Sequence, residues 1–127
     1  MRILLDTHLF IWAVADHPRL NKEARGLIEN ASEVYVSAAS IWEIAIKSKL
    51  GKIEADPEEM AAAIEESGFI ELPVSSLHAA QVGKLPVNDD HKDPFDRLLV
   101  AQSMAEPLVL LTADPQLKPY SSLVRWV

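Results

Sequence analysis

The chain has no cysteine. That excludes thiol catalysis, cysteine-based zinc sites and a disulfide framework, and it agrees with a reducing cytoplasm. Long apolar runs are also missing. No stretch approaches the roughly 20 residues of a membrane span, and too few apolar residues lie between Arg2 and Asp6 for a signal sequence, so a soluble cytoplasmic protein is expected. Glycine is scarce, at four residues, and no repeat or low-complexity segment interrupts the 127 positions. An excess of positive charge is lacking as well. Twelve Lys and Arg against 19 Asp and Glu leave a formal charge of −7, which argues against coating nucleic acid through phosphate neutralisation. A nuclease with its acids gathered at a metal site remains compatible, with local and metal-dependent nucleic-acid contact.

What is present is one domain's worth of chain, 49% apolar, enough for a single sizeable core over residues 1–127. Ile3-Leu4-Leu5 is an apolar run without polar alternation, the pattern of a strand buried on both faces in a parallel sheet, and it ends abruptly at Asp6. Helical patterns follow over Thr7 to Ala15 and about Asn21 to Asn30, then a strand at Val34-Tyr35-Val36. A helix from about Ala39 to Leu50 is capped by Ser37 or Ser40 and closed by Gly51. Asp56-Pro57 opens an acidic amphipathic helix to Glu66, read as a solvated face. Phe69 to Val74 gives a strand, and Ser75 caps a helix to about Val82. After a polar stretch, Asp93-Pro94 starts a helix to Ala105. Strands at Leu108 to Leu111 and Leu123 to Val127 complete a three-layer α/β/α sandwich, with a mainly parallel central sheet of about five strands.

The acids carry the chemistry. In open α/β sheets, sites lie beyond the carboxyl ends of the strands, where Asp6 and Asp114 both stand. Each has the plain alternative of capping the helix that follows. On the third helix, Ile41, Ile44 and Ala45 make an apolar face that Trp42 and Ile46 widen. Glu43 and Lys47 take the remaining arc, either as an i,i+4 surface pair or as a partly buried site. Asp93 as N-cap and Asp96 at N3 form a well-made helix start. Capping accounts for Asp93, whereas Asp96 falls on a face shared with Leu99 and Val100, where a carboxylate needs a cation or partner. Carboxylates gathered on one edge would repel unless a metal sat among them, and oxygen-only donors suit Mg²⁺ or Mn²⁺ and phosphoryl transfer.

Taken in order, Leu4-Leu5-Asp6-Thr7, Ser40-x-x-Glu43 with Lys47 and Gly51-Lys52, Asp93-Pro94-Phe95-Asp96-Arg97-Leu98-Leu99-Val100-Ala101-Gln102 and Leu111-Thr112-x-Asp114 resemble PIN-domain ribonucleases, and among them VapC-type toxins. The resemblance covers essentially the whole chain. It implies a Mg²⁺- or Mn²⁺-dependent endoribonuclease leaving a 5′-phosphate, with Asp6, Glu43, Asp96 and Asp114 as catalytic and metal-binding acids. Asp93 shares the third position with Asp96, and Thr7 and Thr112 would support the acids with their hydroxyls. A homodimer inhibited by a small antitoxin is implied too. His91, Lys92, Arg97 and Lys47 are candidate phosphate contacts, the last two alternatively pairing with Asp93 and Glu43. His8, His17, His78 and His91 show no mutual metal-ligand spacing, and Phe10, Trp12 and Trp42 read first as core, with service of one to an RNA base or an antitoxin helix as the alternative. Rival readings are a strand-end-Asp phosphatase, which would want a second Asp where His8 stands, a phosphoacceptor receiver domain, and a non-catalytic acidic module gripping a basic partner.

Overall fold

The computed structural model describes residues 1–87 and 93–127. Its strands are β1 (Arg2–Leu5), β2 (Glu33–Ser37), β3 (Ile70–Leu72), β4 (Val109–Thr112) and β5 (Val124–Trp126), all parallel in the order β3-β2-β1-β4-β5. The helices are α1 (Thr7–Ala15), α2 (Lys22–Asn30), α3 (Ala38–Lys49), α4 (Pro57–Glu66), α5 (Ser76–Gln81) and α6 (Pro94–Ala105), with short 3₁₀ turns at Val82–Lys84 and Pro115–Tyr120. No helix among the described residues is long and apolar enough to cross a membrane. His91 and Lys92 fall outside the described residues.

β1 is the middle strand, and it is buried on both sides, with Ile3, Leu4 and Leu5 all without solvent exposure. Ile3 and Leu5 join Leu9, Phe10, Ile44, Met60 and Ile64 in one core layer. Leu4 turns the other way and meets Leu99, Val100, Leu110 and Leu117 in the second. Alternation of side chains across the strand thus divides the interior into two helix-covered layers. The chain builds β1, β2 and β3 outward on one side, then crosses to β4 and β5 on the other. The order therefore reverses between β1 and β4, and a crevice is expected at their carboxyl ends.

The orientation of α3 departs from the face expected of it. Ser40, Glu43 and Ile44 face inward, while Trp42, Ala45 and Ile46 face out, with Trp42 57% exposed. Of the three aromatics read as core, Phe10 is buried, Trp12 is half-buried and Trp42 lies at the surface against Phe95, ring centroids 4.8 Å apart. The reason is polar pairing, which hydrophobic periodicity does not register: Glu43 finds partners inside that offset the cost of its burial.

Candidate active site

The end of β1 is fastened to β4 by the Asp6 N–H donating to the Leu111 carbonyl at 3.0 Å. Beyond it the chain turns into α1, and Asp6 is that helix's N-cap, its Oδ1 accepting from the Leu9 N–H at 2.8 Å. Its Oδ2 accepts from the Thr112 hydroxyl at 2.6 Å, and the Thr112 oxygen accepts in turn from the Asp114 N–H at 3.0 Å. One hydroxyl at the end of β4 thus couples the two strand-exit acids. Asp114 caps the following 3₁₀ turn through the Gln116 N–H at 2.9 Å. Capping and gathering at the sheet edge are therefore not alternatives, because each acid does both. Burial pushes the Asp6 carboxyl above its ordinary value of 3.8, and the Thr112 hydroxyl, the Leu9 N–H, the charge of His8 and the Ala113 N–H offset that only in part.

On the other side of β1, Ser37 ends β2 and caps α3 through the Ala39 N–H at 3.0 Å, and the first turns of α3 lie against Thr7 at the start of α1. The Glu43 side chain is 3% exposed, with its Oε2 2.5 Å from Lys47 Nζ and its Oε1 2.6 Å from the Thr7 hydroxyl. Thr7 lies 2.9 Å from the Ser40 hydroxyl as well. A carboxylate paired with an ammonium only accepts, and a hydroxyl has one proton, so Thr7 donates to Glu43 and Ser40 donates to Thr7. Lys47 also reaches Asp93 Oδ2 at 3.7 Å. Burial lowers the proton affinity of Lys47, but the Glu43 hydrogen bond and charge and the charges of Asp93 and Asp96 outweigh it and leave the ammonium above its ordinary 10.5.

The start of α6 is held as its sequence implies, with Asp93 Oδ1 accepting from the N–H groups of Phe95 at 2.9 Å and Asp96 at 3.1 Å. Both oxygens of Asp93 are thus engaged, one at the cap and one towards Lys47. Arg97 does not pair with Asp93. It donates to the Pro86 carbonyl at 2.9 Å and the Tyr120 hydroxyl at 3.2 Å, with its guanidinium over the Tyr120 ring. Those partners, before α6 and in the last 3₁₀ turn, take up the guanidinium.

Sequence reasoning missed the polar core behind the site. Gln102 accepts from the Ser37 hydroxyl at 2.5 Å and donates to the Pro73 carbonyl at 3.2 Å. Its amide nitrogen also lies 3.2 Å from His78 Nδ1, which accepts from the Ser75 N–H at 3.0 Å. With Nδ1 accepting, the proton of His78 sits on Nε2 and is directed at Glu106, 2.6 Å away. This chain of bonds ties α6 to the ends of β2 and β3 and so sets where Asp93 and Asp96 stand. A buried Gln with a His at the N3 position of the preceding short helix was the available signal.

The structure brings Asp6, Thr112 and Asp114 together on one side, and Thr7, Glu43, Lys47 and Asp93 on the other, with Thr7 adjoining Asp6 in the chain. Among the described residues, no three His, Asp or Glu side chains stand close enough to hold a metal ready-made. The donor chemistry nonetheless fits a hard divalent cation: the acids supply only oxygen, and Asp6 is a buried carboxylate that forms no ion pair among the described residues. A cavity of about 370 Å³ opens beside it, lined by Asp6, His8, Trp12, Arg19, Ala113, Asp114 and Pro115.

A parallel sheet that delivers acids to the carboxyl ends of its central strands defines a class of α/β proteins with an acidic edge site. Within that class the chain belongs to the PIN domain family, whose pattern matches residues 3–122. Over 124 residues, 93% of this chain and 91% of the relative, it is 30% identical to Ribonuclease VapC22 of Mycobacterium tuberculosis. Its fold is similar to VapBC2 from Rickettsia felis bound to a DNA fragment from their promoter, with a TM-score of 0.67, 18% identity and coverage of 100% and 99% of the two chains. DNA-bound VapBC from Salmonella typhimurium gives 0.66, 20% identity and coverage of 100% and 97%.

Proposed function

We propose that this protein is a metal-dependent endoribonuclease and the toxin of a toxin–antitoxin pair. The observation that carries the reading is Asp6, a buried carboxylate at the switch point of a parallel sheet, oriented by Thr112 and open to a cavity shared with Asp114. The relation to a ribonuclease of the same family over nearly the whole chain supports it. Asp6, Glu43, Asp96 and Asp114 would hold Mg²⁺ or Mn²⁺, and Asp93 is left to its cap and to Lys47. When bound, such an ion lowers the pKa of water and stabilises charge on a phosphodiester.

The chain's own residues prepare that site. Thr112 holds Asp6 Oδ2 in one orientation, and the carboxylate, with the Leu9, Thr112 and Ala113 donors on it, keeps a lone pair for a ligand. Thr7 does the same for Glu43 Oε1. Lys47 keeps the charges of Glu43 and Asp93 from repelling one another. A homodimer in the cytoplasm, inhibited by a small antitoxin covering the acidic edge, completes the proposal. The expected outcome is cleavage of a mixed RNA pool by the purified protein with Mg²⁺ or Mn²⁺, lost with EDTA and lost in Asp6→Asn and Asp96→Asn. Full cleavage by Asp6→Asn would remove the proposal.

A further inference from the structure

Beside Asp6 the surface changes character. The cavity at Asp6 and Asp114 shares His8, Trp12 and Arg19 with a second of about 370 Å³, which continues past Ile11, Ala15 and His17 to Lys52, Ile53 and Glu54. The two make one trough from the buried carboxylate to the end of α3. Each is within the range of a site for a small ligand, about 300–1,000 Å³.

Its wall carries rings and two cations, with Asp6 and Asp114 at one end and Glu54 at the other. The Trp12 ring meets two imidazoles, His17 stacked at 25° and His8 tilted at 53°, each with its centroid 6.1 Å away. The Arg19 guanidinium lies 6.0 Å from the Trp12 centroid. Arg19 is further fixed by its backbone N–H, which donates to His17 Nδ1 at 3.0 Å. Lys52 is brought to the trough by the end of α3. Gly51 adopts φ 73°, and the N–H groups of Gly51 and Lys52 donate to the carbonyls of Ser48 and Lys47 at 3.1 and 2.8 Å, which reverses the chain. Neither Arg19 nor Lys52 has an ion-pair partner among the described residues. On a chain of charge −7, two cations outside any ion pair among the described residues, beside a ring-lined trough, mark where a polyanion is tolerated.

We infer that this trough, from Asp6 past His8, Trp12 and Arg19 to Lys52, is the channel that holds a single-stranded segment of the substrate next to the scissile phosphate. The inference rests on the nuclease reading above. Arg19 and Lys52 bind phosphates, and the Trp12 and His8 rings give bases a π surface. Stacking of that kind is tolerant of sequence, because every base has a π face. A protein partner is the weaker fit, since Ile11, Ala15 and Ile53 are interspersed with rings and cations and form no continuous aliphatic groove.

The test uses the whole protein. Binding of a fluorescein-labelled single-stranded RNA of about ten nucleotides is followed in EDTA across a salt series, for wild type, Arg19→Ala, Lys52→Ala and Trp12→Phe. Each lost phosphate contact should flatten the slope of log affinity against log salt by about 0.7. Quenching of indole fluorescence by the RNA should disappear in Trp12→Phe, which keeps an aromatic ring in place. With metal added, Arg19→Ala and Lys52→Ala should raise KM several-fold, and more than they lower kcat. Active wild type with unchanged slope and KM in both cation variants would overturn the channel. So would variants whose only defect is in binding a protein inhibitor. If wild type cleaves nothing while RNA binding still depends on Arg19 and Lys52, the nuclease reading fails, and with it the substrate channel, and the trough is left as a single-strand binding surface alone.

Discussion

At Asp6, burial favours the protonated carboxyl more than the surrounding donors favour the carboxylate. The proton is therefore held more tightly in the folded state than in the unfolded chain. Below the ordinary value of 3.8 this costs the fold nothing. Stability is then lost as pH rises through the raised folded value, and the penalty is complete above it. Asp6→Asn removes the penalty and keeps the bonds: the amide oxygen accepts from Leu9, and the amide nitrogen donates to a Thr112 hydroxyl that turns its own proton elsewhere. The variant is expected to be inactive yet more stable than wild type, by about 0.5–2 kcal/mol near neutral pH. Urea unfolding across a pH series measures it, and the gap between the two proteins should widen as pH rises. A gap that narrows towards neutrality would contradict the assigned cause. The importance of Asp6 was legible in sequence because an acid directly after a doubly buried strand has few places to go. The Thr112 bond was not, since the two residues are 106 positions apart.

Helix α3 shows what periodicity leaves unseen at the scale of an element. Apolar spacing placed Ile41, Ile44 and Ala45 inward, yet the helix is rotated so that Glu43 is buried and Ala45, Ile46 and Trp42 meet solvent. A carboxylate supplied with the Lys47 ammonium and the Thr7 hydroxyl tolerates the interior, and the pairing that makes this so comes partly from α1. Removing the cation alone should be costly. Lys47→Met is expected to destabilise by about 2–3 kcal/mol, below the figure for a fully buried pair because Lys47 keeps a quarter of its side chain in water. Glu43→Gln in the same background should recover much of the loss, which a double-mutant cycle by chemical denaturation would show. Simple additivity of the two changes would mean that Glu43 does not depend on Lys47. The boundaries of α1 and α4, by contrast, were readable from Asp16-His17-Pro18 and from Asp56-Pro57, because caps and prolines act locally.

For the whole molecule, alternation of strand and helix sufficed to imply a parallel sheet with both faces covered, and the two strands at its centre were marked by apolar runs. Their order was not marked. That β1 is central, with the reversal falling between β1 and β4, follows from how two core layers close over it, and no local window holds that information. The consequence is that acids from opposite ends of the chain, Asp6 and Asp114, share one crevice in the folded state alone. A cation that needs them together should bind the native protein and not the unfolded chain, and so should stabilise it. At a hundredfold excess over Kd the gain is about 2.7 kcal/mol. For a domain of this size that corresponds to a Tm higher by roughly 10 °C. Thermal melts with Mn²⁺ or Mg²⁺ against EDTA would register it, and the shift should vanish in Asp6→Asn and shrink in Glu43→Gln. An equal shift in Asp6→Asn would place the ion elsewhere on this acidic surface and separate metal binding from the edge site.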